Sequence, residues 1–181
     1  MRRKAVFLDR DGVLSKTLLI KGKSFAPRKL KDFQLYSESV KCIERLKTVG
    51  FMVFVVTNQP DVGKKLISKK ILNKMHDKLK KNTLIDEIFV CTHKQDEGCF
   101  CRKPNPGMIL DATKKYKIDL IKSFLVGDRA IDIEAASKAS CRSIFLDKKY
   151  IEKAPIKQEA TFSNLTQATN YILKQDTLTN V

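Results

Sequence analysis

Five short apolar runs, residues 5–8, 51–56, 88–91, 124–126 and 143–146, recur along this 181-residue chain with no polar alternation through them. A strand with one face in water alternates polar and apolar residues, whereas a strand covered on both faces does not. The Val, Ile and Phe content of these runs therefore predicts a mainly parallel sheet buried between two helical layers. Helical patterns fill the intervals. Val40, Ile43, Leu46 and Val49 recur at three-residue spacing, and Ile67, Ile71, Leu72, Met75 and Leu79 form an apolar stripe with lysines opposite. Asn105-Pro106-Gly107 opens a third helix with Ile109, Ala112 and Tyr116 facing inward, and residues 132–139 and 165–173 supply two more. Strand and helix in alternation mean an α/β class protein, a three-layer Rossmann-like fold. The length predicts a single domain over residues 1–181, with a frayed tail from 175. Residues 15–36 break the pattern with Gly22, Pro27, Lys21, Lys23, Arg28 and Lys29, and read as a flap too short to form a cap domain.

Open α/β sheets place chemistry where strands end, and the first run ends in Asp9-Arg10-Asp11-Gly12-Val13. Two carboxylates at i and i+2 beside a buried strand are costly to leave unpaired. They suit one carboxylate attacking phosphorus while the other handles the leaving-group proton, with a hard cation nearby; alone, Asp-x-Asp-Gly is equally a turn or a calcium loop. The second run ends in Thr57-Asn58-Gln59, a hydroxyl and two amides able to hold phosphate oxygens. Beyond the third lies Cys101-Arg102-Lys103-Pro104, and after the fourth Gly127-Asp128-Arg129 with Asp132 following. A nucleophile, metal ligands, a hydroxyl and a lysine at consecutive strand ends make up the inventory of phosphoryl transfer.

Cysteine usage adds a second metal signature. Cys91-x-His93 and Cys99-x-Cys101 offer three thiolates and an imidazole, the donor set of a closed, structural Zn²⁺ site that would pin a long loop. Cys42 and Cys141 stand apart as core residues, and His76, outside any cluster, reads as a surface residue. The net charge of +16, from 36 Lys and Arg against 20 Asp and Glu, raises the question of nucleic acid. The lysines, however, are scattered in pairs such as Lys64-Lys65 and Lys80-Lys81, without interleaved aromatics, so a solvated surface that draws in a small anionic, phosphorylated substrate is the expectation. No run reaches the length of a membrane span, and a cytosolic monomer with no membrane partner is expected.

Asp9-x-Asp11, Thr57, Lys103 and Gly127-Asp128-Arg129-x-x-Asp132 together resemble the four motifs of the haloacid dehalogenase superfamily of phosphohydrolases. The resemblance implies that Asp9 attacks phosphorus, that Asp11 serves as acid and then base, and that Lys103 neutralises charge between Asp9 and the phosphate. It implies that Thr57 and the backbone N–H groups near Gly12 and Val13 cradle the phosphoryl oxygens. It also implies that Asp9, the Asp11 carbonyl and Asp128 hold Mg²⁺, with Asp132 and Arg129 supporting them. The zinc loop narrows the likeness to phosphatases of D-glycero-D-manno-heptose 1,7-bisphosphate, which feed surface-polysaccharide precursors, and of histidinol phosphate. Asn58 and Arg102 are then the substrate contacts, with Arg10 and Arg28 as further rim candidates. A nucleic-acid 3′-phosphatase and a catalytically silent zinc-stabilised binding protein are the remaining alternatives.

Overall fold

In the computed structural model, which describes residues 2–179, the first apolar run becomes β1 (Ala5–Leu8), with all four residues buried. A hairpin follows, β2 (Leu18–Ile20) against β3 (Lys23–Phe25), and then α1 (Ser39–Thr48). The later elements are β4 (Met52–Asn58), a short α2 (Pro60–Gly63), α3 (Lys69–Asn82), β5 (Glu87–Cys91), α4 (Gly107–Tyr116) and β6 (Phe124–Gly127). The chain closes with α5 (Ala130–Lys138), β7 (Arg142–Leu146), β8 (Ala160–Phe162) and α6 (Leu165–Thr179).

Six of these strands form one sheet, ordered β5-β4-β1-β6-β7-β8, and every pairing in it is parallel. The alternation of side chains along each strand divides the core in two. Val6, Leu8, Val53, Val55 and Val126 pack against α1, α3 and α6 through Ile43, Leu46, Met75, Leu79 and Ile172. Phe7, Phe54, Val56 and Leu125 pack on the other face against α4 and α5 through Ile109, Ala112, Ala135 and Ala136. This is the expected three-layer arrangement. The chain leaves β1 for β4 on one side and later returns through β6 on the other, so the carboxyl ends of these three strands border a switch point, where α/β folds bind ligands.

Four local expectations are corrected. The flap of residues 15–36 contains the β2–β3 hairpin, closed by Lys21 and Gly22, both at positive φ. Such two-residue turns usually advertise themselves as Asn-Gly or Asp-Gly, and Lys-Gly does not. The edge strand β8 went unpredicted because Ala-Thr-Phe is too short and mixed to stand out. Helix α6 continues past Lys174 to Thr179, held by Arg142 donating to Gln175 at 3.0 Å and by Lys4 paired with Asp176 at 2.7 Å; residues 180 and 181 of the expected frayed tail lie outside the described residues. Finally, His76 is 8% exposed and faces inward from α3, not outward. Among the described residues no helix is long and apolar enough to cross a membrane.

Candidate active site

The sheet delivers Asp9 from the end of β1, Thr57 from β4 and Asp128 from just beyond β6, with registers that set the three strands level. Lys103 arrives from the loop between β5 and α4, and Asp132 from the first turn of α5. A cavity of about 70 Å³ opens among them, lined by Asp9, Asp11, Thr57, Asn58, Lys103 and Asp132, with Ser24 and Ala26 of the flap at its mouth.

Lys103, 2% exposed, donates to Asp9 Oδ1 at 2.8 Å and to the Val56 carbonyl at 2.7 Å, and its ammonium forms an ion pair with Asp132 Oδ1 at 2.6 Å. Burial alone would discharge this amine, but Asp132 and Asp9 outweigh it and hold its pKa above the usual lysine value. The carboxylates are in the opposite position. Burial pushes Asp9 up to about 6 in spite of Lys103, and Asp132 adds to the rise. Burial and the charges of Asp9 and Asp132 also raise Asp128 well above the usual carboxylate range.

Asp128 oxygens are buried without a well-formed hydrogen bond, with the Tyr150 hydroxyl beside them. Oxygens of Asp9, Asp128 and Asp132 lie within 4.8 Å of one another. Three buried carboxyl groups against one ammonium leave a deficit of positive charge, and these hard oxygen donors fit Mg²⁺. Gly12 is needed beside them, because its φ is +93° and a Cβ there would overlap the Asp128 carboxylate.

Asp11 is held from three directions. Its Oδ2 accepts from Arg10 Nη2 at 2.7 Å, Arg10 Nε at 3.1 Å and Gln59 Nε2 at 2.8 Å, while Oδ1 accepts from Ser15 Oγ at 3.0 Å. Gln59 also donates to Thr57 Oγ1 at 2.9 Å, which leaves the threonine's own proton to donate into the cavity. Arg10 is fully buried, its guanidinium 5.3 Å from the Phe33 ring centre, and its Nη1 meets His76 Nε2 at 3.2 Å. Burial, reinforced by Arg10, holds His76 down to a pKa of about 4.

Several expected contacts are therefore corrected. Arg10 is a buried partner of Asp11 and not a rim residue, and Arg28 is tied to Asp61 at 2.6 Å. The Gly12 N–H is spent on the Ser15 carbonyl at 2.7 Å, while the Val13 side chain packs in the core without bearing on the role expected of its N–H. Asn58 touches the cavity, yet its amide brackets the Lys103 backbone, donating to the carbonyl at 2.9 Å and accepting from the N–H at 3.1 Å. Arg102 stands outside the cavity lining with a buried, unpaired Nη1. Arg129 does line the cavity, but its guanidinium is clamped on Glu152 by two 2.9 Å bonds. Asp132 is more central than expected, pairing with Lys103 and accepting from the Arg129 N–H at 3.0 Å. His76 and Tyr150 were missed as site-shaping residues, and Gln59, expected with Thr57 and Asn58 to hold phosphate oxygens, instead donates to Asp11 and Thr57.

The cysteine cluster forms as expected. Cys91 Sγ lies 3.5 Å from both His93 Nδ1 and Cys99 Sγ, and Cys101 Sγ lies 3.3 Å from His93 Nδ1 and 3.5 Å from Cys99 Sγ. Tetrahedral zinc ligands at ordinary bond lengths are spaced by about 3.3–3.8 Å, so this donor set fits Zn²⁺. The last ligand is two residues before Lys103, which links the cluster to the active cavity.

A family model described as polynucleotide kinase 3 phosphatase matches residues 4–171. The chain is 33% identical over 173 residues to a D-glycero-alpha-D-manno-heptose-1,7-bisphosphate 7-phosphatase of Photorhabdus laumondii, covering 89% of this chain and 91% of the relative. It is 34% identical over 143 residues to the corresponding beta-anomer phosphatase of Bordetella bronchiseptica, covering 76% and 77% of the two chains. The crystal structure of a D,D-heptose 1,7-bisphosphate phosphatase from B. bronchiseptica, complexed with magnesium and phosphate, superimposes with a TM-score of 0.82 at 28% identity, covering 95% of this chain and 99% of the other. With its parallel sheet and strand-end carboxylates, the chain belongs to the polynucleotide kinase 3 phosphatase family of the haloacid dehalogenase superfamily, and it is a phosphatase.

Proposed function

We propose that residues 4–171 act as one phosphatase domain on a small sugar bisphosphate of the D-glycero-D-manno-heptose 1,7-bisphosphate type. The observation that carries the chemistry is the placement of Asp9 and Asp11 at one cavity, the first bound to Lys103 and the second to Arg10, Gln59 and Ser15. Two carboxyl groups in environments this different are suited to different tasks. Asp9 attacks phosphorus and becomes an aspartyl-phosphate, while Asp11 gives its proton to the departing alkoxide. Water then attacks the aspartyl-phosphate, losing its proton to Asp11, and inorganic phosphate leaves. The Thr57 hydroxyl and the Lys103 ammonium hold phosphoryl oxygens and offset the charge of Asp9. Asp9, the Asp11 carbonyl and Asp128 would hold Mg²⁺, which supplies charge neutralisation between two anions. Cys91, His93, Cys99 and Cys101 would hold a structural Zn²⁺ that fixes the approach of Arg102 and Lys103.

The names of the relatives support the sugar bisphosphate. Arg102, the residue before Lys103 and outside the cavity lining, is the proposed partner of the second phosphate, its guanidinium suited to bidentate binding once it turns outward. A 3′-phosphatase of nucleic acid is the second reading, favoured by the charge of +16 and the description of the family. Comparing kcat/KM for heptose 1,7-bisphosphate, histidinol phosphate and a 3′-phosphorylated oligonucleotide tests both. The sugar bisphosphate is expected to lead; a lead for either of the others replaces the substrate proposed here.

A further inference from the structure

We infer that His76 is a positioning residue for the phosphatase reaction, fixing the carboxylate of Asp11 through the buried guanidinium of Arg10. His76 belongs to α3, an element that contributes nothing to the cavity lining itself. Leu72, Met75 and Leu79 anchor this helix in the core, so its ring has a defined place. A guanidinium only donates hydrogen bonds. The 3.2 Å contact between Arg10 Nη1 and His76 Nε2 therefore requires the ring nitrogen to accept, which makes His76 a neutral imidazole carrying its proton on Nδ1. With Nη1 held by His76 and its central carbon over the Phe33 ring, the guanidinium presents Nε and Nη2 to the same oxygen of Asp11.

Removing the acceptor would leave a buried Nη1 unsatisfied and free the guanidinium to turn, and with it the oxygen it holds. Gln59 and Ser15 would still retain Asp11. The effect is therefore a misplacement of the proton donor, not its loss, and it differs from the effect of disturbing Asp9 or Lys103. The inference rests on the reading of Asp11 as the proton donor, and the experiment separates the two.

The distinguishing readout is leaving-group dependence. An alkyl phosphate needs a proton delivered to its departing oxygen, whereas 4-nitrophenyl phosphate leaves as a stabilised phenolate and needs far less help. For Asp11→Asn, kcat/KM on an alkyl phosphate should fall about 100-fold or more beyond any fall on the aryl ester. For His76→Leu, which has no acceptor, the alkyl value should fall about tenfold with the aryl value within about threefold of wild type. His76→Gln, whose side-chain oxygen can accept from Arg10, should recover most of the loss. Equal losses on both esters, no loss on either, or no recovery with Gln would overturn the role of His76. If Asp11→Asn itself shows no leaving-group dependence, the proton-donor reading falls and takes this inference with it. Nitrogen NMR of the wild-type protein supplies a check independent of variant folding. An unprotonated Nε2 at neutral pH is expected, and a protonated one overturns the inference.

Discussion

The Lys103 ammonium lies 2.8 Å from Asp9 Oδ1, although the two residues are 94 positions apart in the chain. The same ammonium reaches Asp132, so one cation serves two of the three buried carboxyl groups of the site. Deleting one member of such a buried group costs about 3–5 kcal/mol, because a charge is left unpaired. Lys103→Met should therefore abolish turnover of every substrate and lower stability. Since Asp9 can take up a proton in compensation, the destabilisation should be smaller at pH 5 than at pH 8. Urea unfolding at the two pH values checks this, and an equal loss at both would contradict it.

Asp9→Asn keeps the size of the side chain but removes the nucleophile. Turnover should drop below about a hundredth of wild type with the fold intact. No phosphate should then be trapped on the protein by rapid acid quench. A variant retaining more activity than this would exclude Asp9 as the nucleophile.

Burial raises Asp9 to about 6 from an ordinary 3.8, so between these values the folded protein binds more protons than the unfolded chain. Asp9 thus makes stability fall as pH rises through that window. A cation that binds the ionised form reverses the effect. Addition of Mg²⁺ should raise Tm clearly at pH 8 and much less at pH 5, and an equal shift at both would count against Asp9 as a ligand.

Burial, with the Cys101 thiol beside it, pushes the Cys91 thiol up to about 12, so a thiolate at Cys91 calls for a metal. One zinc per chain should copurify and survive dialysis that strips Mg²⁺. Cys99→Ser should lower both Tm and activity, since Asn105 donates to the Cys99 carbonyl in the loop that carries Lys103. Metal analysis without zinc, or a variant with unchanged Tm and activity, would defeat the assignment.

Arg102 carries the prediction about substrate choice. It precedes Lys103 and lies outside the cavity lining, and its guanidinium, turned outward, is suited to a second phosphate. Arg102→Ala should remove most of the preference for a sugar bisphosphate over the matching monophosphate, with kcat on the monophosphate little changed. Parallel kinetics on the two esters decide the matter.

Five of the six strands of the main sheet, and the residues proposed for phosphoryl transfer, were legible because each signal is local. A continuous apolar run marks a strand covered on both faces, and the groups it delivers follow it directly, as Asp9 follows β1 and Asp128 follows β6. The cluster of Cys91, His93, Cys99 and Cys101 was legible for the same reason, being confined to eleven consecutive residues. What escaped was pairing across the chain. Nothing near Arg10 announces that it will be buried against Phe33 and His76, and nothing near His76 separates an inward ring from a solvated one. Asn58 was misjudged because an amide beside a phosphate site can hold either substrate or backbone, and here it holds the backbone of Lys103.

The buried histidine also makes stability depend on pH. Burial and the neighbouring Arg10 lower His76 from 6.5 to about 4, so between these values the unfolded chain carries a proton that the folded protein refuses. The unfolded state then binds more protons, and stability must rise with pH through this window. The contribution is fully present above about 6.5 and is lost as pH falls toward 4, amounting to about 3 kcal/mol. His76→Gln cannot take up that proton. Its unfolding free energy should therefore fall less steeply than the wild type's from pH 6.5 to 4, with the two curves parallel above pH 7. Curves that stay parallel down to pH 4 would mean that His76 titrates freely and that its contact with Arg10 is not maintained in solution.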